Sequence, residues 1–232
     1  MGVSHSPKII TDGLVFCLDI SDKNSYAGSG TQVNDLAGTD QNNTLSNSDI
    51  GTLSSGLFDF AGNASNGLTR YVSLPATIGY TTEVSFFTWF KRANNTGVAS
   101  GYHIICGPTA FEMSVHASDS SLFLRNGIEV DGVRYVANNG NTLGTGTWHN
   151  VGLRVSNVGG TYKGKLYVDG MSDSSKVAIG STTVTADFLI GARRDSGNTG
   201  LGYPFDGKIA NCLIYNRALS SAEILKNYEA TV

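Results

Sequence analysis

Two residue patterns in this chain bear on chemistry: carboxylates at strand-like spacing, and aromatic or polar side chains in turn-rich segments. Hydrolysis of a glycosidic bond needs two carboxylates flanking the bond, one as acid and the other as nucleophile or base. The nearest approach is Glu129-Val130-Asp131-Gly132-Val133-Arg134. Asp131-Gly132 reads as a turn, which interrupts the strand that would aim both carboxylates at one cleft. The chain has five glutamates, with no pair at a better spacing. Nucleophilic catalysis lacks its elements too: no G-x-S-x-G elbow occurs and no cysteine has an evident histidine partner. His5, His103, His116 and His149 lack metal-ligand spacing, and no phosphate-cradling glycine loop is present. No catalytic residues are expected.

Binding of a sugar makes smaller demands. It needs an aromatic face for the ring and side chains that hydrogen-bond from loops. Tyr102, Asn94, Arg193, Arg194, Asp195 and Tyr203 fit by their placement in or beside turn-rich segments, and Tyr80 and Asn95 share that placement. These six are the candidate glycan-binding residues.

The elements that must position them are strands. Thr82–Phe90, TEVSFFTWF, is rich in β-branched and aromatic residues and predicts a core strand. Trp148–Ser156 alternates, with His149, Val151, Leu153 and Val155 on one side. His149 is expected to pack with that face, hydrogen-bonded to a neighbour. Tyr162–Asp169 pairs with this strand through a turn at Asn157–Gly160, and Asp169-Gly170 marks the next turn. Shorter strands are expected at Leu14–Leu18, Leu57–Phe60, Arg70–Leu74, Tyr102–Cys106, Phe111–His116, Leu122–Arg125, Val133–Ala137 and from Phe188 to Gly191. Ala192–Gly202 reads as an exposed loop. From Gly207 to Asn216 a closing strand places Ile209, Leu213 and Tyr215 on one side and Ala210, Cys212 and Ile214 on the other. Ser220 and Glu223 then form a capping box, with Leu219 and Ile224 as its hydrophobic staple, so one short helix ends the chain.

Composition agrees with many antiparallel strands. Charged residues are 15% of 232, and 29 glycines supply turns. The net charge of -3 and the absence of a basic run argue against a nucleic-acid partner. No run of about 18 apolar residues occurs, so no membrane insertion is expected. The opening MGVSHSPKII lacks the features of a signal peptide, which leads to an expectation of synthesis in a cytoplasm. Cys17, Cys106 and Cys212 are odd in number and sit in apolar strand contexts, which points to buried free thiols.

Several of these segments carry a resemblance. Phe205-Asp206-Gly207-Lys208-Ile209, Ile214-Tyr215-Asn216-Arg217-Ala218-Leu219-Ser220 and Ala222-Glu223-Ile224 resemble the C-terminal signature of concanavalin A-like lectin/glucanase domains of the laminin-G and pentraxin-like kind. Thr147-Trp148-His149-Asn150-Val151, Lys165-Leu166-Tyr167-Val168-Asp169-Gly170 and the opening Gly13-Leu14-Val15-Phe16-Cys17-Leu18-Asp19 are similar to the same family. The resemblance implies an all-β antiparallel sandwich, a jelly roll, with the short C-terminal helix. It implies one domain over residues 13–232 behind an N-terminal arm of residues 1–12.

The family includes hydrolases with an E-x-D-x-x-E strand, and Arg134 occupies the position of the last glutamate. Two positions at which relatives supply calcium-binding aspartates are here Leu68-Thr69-Arg70-Tyr71 and Ala210-Asn211. No cofactor is therefore expected, and calcium remains open only through loop carboxylates such as Asp19, Asp22, Asp35 or Asp59. Modules with this opening and ending resemble parts of phage virion proteins. The expectation is a non-enzymatic, homo-oligomeric virion surface component, a decoration, spike or fibre-associated protein. Its partners would be other virion proteins and possible cell-surface glycan, with a carbohydrate-binding lectin module as the alternative.

Overall fold

The computed structural model describes residues 8–37, 42–45, 57–60, 70–74, 83–93, 102–108, 111–116, 122–126, 143–172, 177–178, 188–194 and 201–231. The strands are β1 (Leu14–Asp19), β2 (Gln32–Asn34), β3 (Asn42–Leu45), β4 (Phe58–Asp59), β5 (Val72–Leu74), β6 (Val84–Arg92), β7 (Tyr102–Pro108), β8 (Phe111–His116) and β9 (Leu122–Asn126). They continue with β10 (Trp148–Val158), β11 (Thr161–Val168), β12 (Met171–Ser172), β13 (Val177–Ala178), β14 (Phe188–Ile190), β15 (Arg193–Arg194), β16 (Leu201–Gly202) and β17 (Gly207–Tyr215). Helix α1 (Ser221–Thr231), the one helix among the described residues, follows them. The expected strand at Val133–Ala137 lies outside the described residues.

Two antiparallel sheets form the sandwich. One runs β1-β17-β6-β10-β11-β12, with β4 and β13 attached to β17 and β11. The other runs β2-β3-β5-β14-β7-β8-β9. Between them lies one apolar core, to which the first sheet gives Phe16, Phe86, Phe90, Leu153 and Ile214 and the second gives Val72, Cys106, Met113, Phe188 and Ile190. Edge-to-face contacts lock it: Phe86 meets Phe188 across the sheets at 5.3 Å, and Phe205 meets Phe90 at 5.8 Å. The long hairpin of β10 and β11 and the short one of β11 and β12 turn through Gly159-Gly160 and Asp169-Gly170, all four residues at positive φ, as tight two-residue turns require.

The closing strand departs from simple alternation. Ile209 pairs with Phe90 and Asn211 with Trp89, which leaves Ala210 as the extra residue of a β-bulge. The bulge moves Ile209 onto the core face with Cys212 and Ile214, while Leu213 and Tyr215 face the other way. The bulged backbone is satisfied elsewhere: the Ala210 carbonyl accepts from Ile20 N–H at 3.1 Å, and the Asn211 side chain accepts from Trp89 N–H at 3.0 Å.

The outer face of the first sheet is apolar and carries a second cluster of Cys17, Phe87, Tyr167, Leu213 and Tyr215. Helix α1 covers it through Ile224, together with Leu219 just before the helix and with Ile9 and Ile10 from the first described residues. The predicted capping box is present: Glu223 N–H reaches Ser220 Oγ at 3.3 Å, and Ser220 N–H donates to the Glu223 carboxylate at 2.7 Å. Arg217 adds a clamp, with Nη2 at 2.6 Å from Glu223 and Nε at 3.0 Å from Asp12. Farther along α1, Asn227 accepts from Ile10 N–H at 2.8 Å and donates to Tyr215 Oη, which itself donates to the Ile10 carbonyl at 2.9 Å. At the end of the helix Tyr228 stacks on Trp89 at 5.7 Å. The residues shared with the lectin-like signature thus hold the helix and the segment Ile9–Asp12 to the sheet.

Candidate functional site

Strand β8 alternates: Met113 and Val115 enter the core, so Glu112 and Ser114 belong to the opposite face of the seven-stranded sheet. Both are buried there. Glu112 Oε1 lies 3.2 Å from Arg193 Nη1, and their side chains are 2% and 5% exposed. The Arg193 guanidinium in turn lies 4.6 Å from the centre of the Tyr203 ring. Tyr203 is half-buried and holds a left-handed backbone at φ 55, a conformation that non-glycine residues adopt rarely and at a cost. Carboxylate, guanidinium and phenol ring therefore form one chain of contacts, from Glu112 through Arg193 to Tyr203.

Local structure holds this stack in place. Arg193 pairs with Gly202 and Arg194 with Leu201 in the small hairpin of β15 and β16, where the sequence predicts an exposed loop. Gly191 N–H donates to the Ile105 carbonyl at 2.8 Å, and Phe205 N–H to the Gly191 carbonyl at 2.7 Å, so the segments on both sides of the hairpin are tied to the core. Buried Phe205 fixes the chain two residues after Tyr203.

Of the six residues proposed for glycan binding, the structure brings Arg193 and Tyr203 into direct contact. Arg193 is buried and ion-paired, against the expectation of a solvent-facing loop residue, because Glu112 supplies a counter-charge inside the fold. Arg194 belongs to the same hairpin. Tyr102 pairs with His116 in the register of β7 and β8. Asn94 and Asp195 lie outside the described residues. Glu112 was missed; its signal was the alternation in Phe111-Glu112-Met113-Ser114-Val115-His116, which sets Glu112, Ser114 and His116 apart from the apolar face.

The remaining candidates for chemistry have structural partners. His149 lines the core side of β10 with Nδ1 3.1 Å from Asp169, as expected of a packed, hydrogen-bonded histidine, and the other Asp169 oxygen accepts from Asn150 N–H at 2.8 Å. Asp35 accepts from Cys17 and Ala37 N–H, Asp19 from Ser21, and Asp22 from Asn24. Asp59 lies 3.4 Å from Lys208. Among the described residues no three His, Cys, Asp or Glu side chains gather as a metal site. Glu129 and Asp131 are outside the described residues. All three cysteines are buried free thiols; burial pushes Cys17 up to about 12, with Asp35 and Asp19 adding to the effect. Among the described residues no helix is long and apolar enough to cross a membrane.

Comparison with solved structures supports this architecture. A sialidase from Trypanosoma rangeli, in complex with 2,3-difluoro-KDN, aligns with TM-score 0.63 at 17% identity over 99% of this chain and 36% of its own. Domain 4 of AbnA, a GH43 extracellular arabinanase from Geobacillus stearothermophilus in complex with arabinotriose, aligns with TM-score 0.58 at 17% identity over 93% of this chain and 98% of its own. The receptor binding domain of botulinum neurotoxin mosaic serotype C/D gives TM-score 0.60 at 15% identity over 96% of this chain and 52% of its own. This chain spans about a third of the length of the sialidase, and identities this low establish the fold alone. No curated protein matches by sequence. A family model described as the concanavalin A-like lectin/glucanases superfamily matches residues 65–225. With its two facing sheets, its helix-covered outer face and that match, the chain belongs to the concanavalin A-like lectin/glucanase superfamily.

Proposed function

We propose that the chain is a non-catalytic carbohydrate-binding module that docks a sugar ring on Tyr203. The observation that carries this reading is the stack of Glu112, Arg193 and Tyr203. A ring held by a buried ion pair loses little conformational freedom on binding, which is what an aromatic sugar platform requires. Ion pairing also occupies the Glu112 carboxylate as a brace. Similarity in fold to an arabinanase domain solved with arabinotriose adds support from outside the chain.

The test is titration of the purified protein against a panel of oligosaccharides that includes arabinotriose, with hydrolysis followed in parallel. Saturable binding that Tyr203→Ala abolishes while the fold persists is expected, without turnover. Binding unchanged by Tyr203→Ala would sink the platform, and turnover lost in Glu129→Gln would replace the module by an enzyme.

The setting proposed for the module is a virion surface, as one subunit of a homo-oligomer. Support for this is the likeness of the Gly13–Asp19 opening and the Ile214–Ser220 ending to modules of phage virion proteins. Mass spectrometry of purified particles from a producing host would find the chain in stoichiometric amounts; its absence from particles would end this reading.

A further inference from the structure

On the outer face of the first sheet, β6 and β10 place four side chains at adjoining register positions, Trp89 opposite Asn150 and Lys91 opposite Trp148. Alternation sets all four on this face, because Phe90 and Val151, next to them in sequence, enter the core. Trp89 is committed to the fold: its Nε1–H donates to Thr231 Oγ1 at 2.8 Å, and Tyr228 stacks on its ring. The other three are not. Among the described residues, the side chains of Trp148, Lys91 and Asn150 make no hydrogen bond or ion pair; the bonds of Asn150 are those of its backbone with Asp169.

Asn150 is the unusual member. It is only 6% exposed, yet its amide, with two N–H donors and a carbonyl acceptor, has no partner among the described residues. A native fold rarely leaves such a group idle unless something else satisfies it. Tyr228 walls this position on the helix side: its ring stacks on Trp89, and a Cβ at Gly170 would stand 3.0 Å from its Cδ1. Asn150 thus lies between the strand that carries Trp89 and the turn that carries Gly170, with half-buried Trp148 at the next outward position of β10.

We propose that Trp148, Asn150 and Lys91 form a second saccharide site, separate from Tyr203, whose ligand is a uronic acid residue of an acidic polysaccharide. The C–H face of the sugar rests on Trp148, a ring hydroxyl bonds with the Asn150 amide, and the carboxylate meets the Lys91 ammonium. Neighbours across a sheet stand about 5 Å apart and alternate residues of a strand about 7 Å, so one sugar ring reaches all three. Charge selects the acid. Lys91 stands opposite Lys208 on its other side, and whereas Lys208 is paired with Asp59 at 3.4 Å, Lys91 has no counter-charge among the described residues. Asp169 does not oppose the ligand, because its two oxygens serve the Asn150 N–H and His149.

The experiment titrates the full chain with trigalacturonate and with its methyl ester, which keeps the sugar and removes the charge, while the side-chain amide signals of Asn150 are followed by NMR. Saturable binding is expected, about tenfold tighter for the acid than for the ester, with the Asn150 signals shifted by either ligand. Lys91→Met should bring the acid down to the affinity of the ester, and Lys91→Arg should retain the preference. Trp148→Ala and Asn150→Ala should each weaken both ligands by about tenfold. No binding of the acid, equal affinity for acid and ester, or a preference that survives Lys91→Met would overturn the proposal; the lysine variants carry this test even where Trp148→Ala fails to fold. Tyr203→Ala should leave trigalacturonate binding unchanged, and its loss there would overturn the separate site. Arabinotriose binding through Tyr203 is decided by its own titration, so either site can fail without the other.

Discussion

The Phe87 ring lies directly over Gly152, its cross-strand partner, so closely that a Cβ at Gly152 would stand 2.1 Å from Phe87 Cδ1. Glycine here fills no turn. It gives β10 a flat patch on which the aromatic ring of β6 rests beneath the helix, an arrangement in which the neighbouring ring covers the strand glycine. Gly152→Ala should therefore destabilise the protein by about 1–3 kcal/mol, the usual cost of overpacking. Urea unfolding would measure it. Combining it with Phe87→Leu should recover part of the loss, whereas simple additivity would contradict the close approach.

The clamp of Arg217 on Glu223 predicts acid sensitivity. Hydrogen bonds from Arg217 first, then from the Ser220 amide, hold the Glu223 carboxyl down at about 2 from 4.5. Because the folded-state value lies below the unfolded one, this stabilisation is complete above pH about 4.5 and is lost as the pH falls toward 2. It amounts to roughly 1–3 kcal/mol once partial exposure is allowed for. Thermal melts from pH 6 to 2.5 should show a steeper fall in wild type than in Glu223→Gln; parallel curves would contradict the clamp.

Breaking the buried pair of Arg193 and Glu112 should cost about 3–5 kcal/mol, because the desolvation cost of the remaining group stays while the attraction within the pair is lost. Arg193→Met alone tests this by chemical denaturation. Arg193→Met with Glu112→Leu should be markedly less destabilised than the single variant. In the proposed module both variants also weaken sugar binding by loosening Tyr203, so binding and stability separate in the double variant: stability returns and affinity does not.

Residues 8–12 serve the fold, through the packing of Ile9 and Ile10 and the Ile10 hydrogen bonds to Asn227 and Tyr215. Deletion of residues 1–12 should lower stability by about 2–4 kcal/mol from lost apolar burial and from a buried Asn227 Oδ1 that loses the Ile10 N–H. Deletion of residues 1–7 keeps those contacts, so it is the cleaner variant for asking whether the arm attaches to a particle. Equal melting midpoints for the two truncations would refute the anchoring role.

Local patterns made most of the fold legible. The β-branched and aromatic run Thr82–Phe90, the alternation from Trp148 and the capping box at Ser220 each carry their structure within a few residues. The bulge at Ala210 was not legible, because it arises where β17 must match β6 while its backbone serves Ile20. The same holds for the site. Tyr203 and Arg193 were selected as polar loop residues, but what fixes them is Glu112, 81 positions away from Arg193, and no local pattern announces a counter-charge at that distance.

Ile10 bonded to Asn227, and Asp12 facing Arg217, bring the two described ends of the chain side by side on the helix-covered face. A fold whose entrance and exit adjoin behaves as a cassette: spliced into a surface loop of a host protein, it need not pull that loop apart. In the stack of Glu112, Arg193 and Tyr203, Glu112 stands on β8 of the other sheet and Arg193 on the β15–β16 hairpin, so such a graft leaves it clear of the joint. Ligation of the ends through a short linker, with new termini opened at the Gly159-Gly160 turn, should likewise yield a circular permutant that folds.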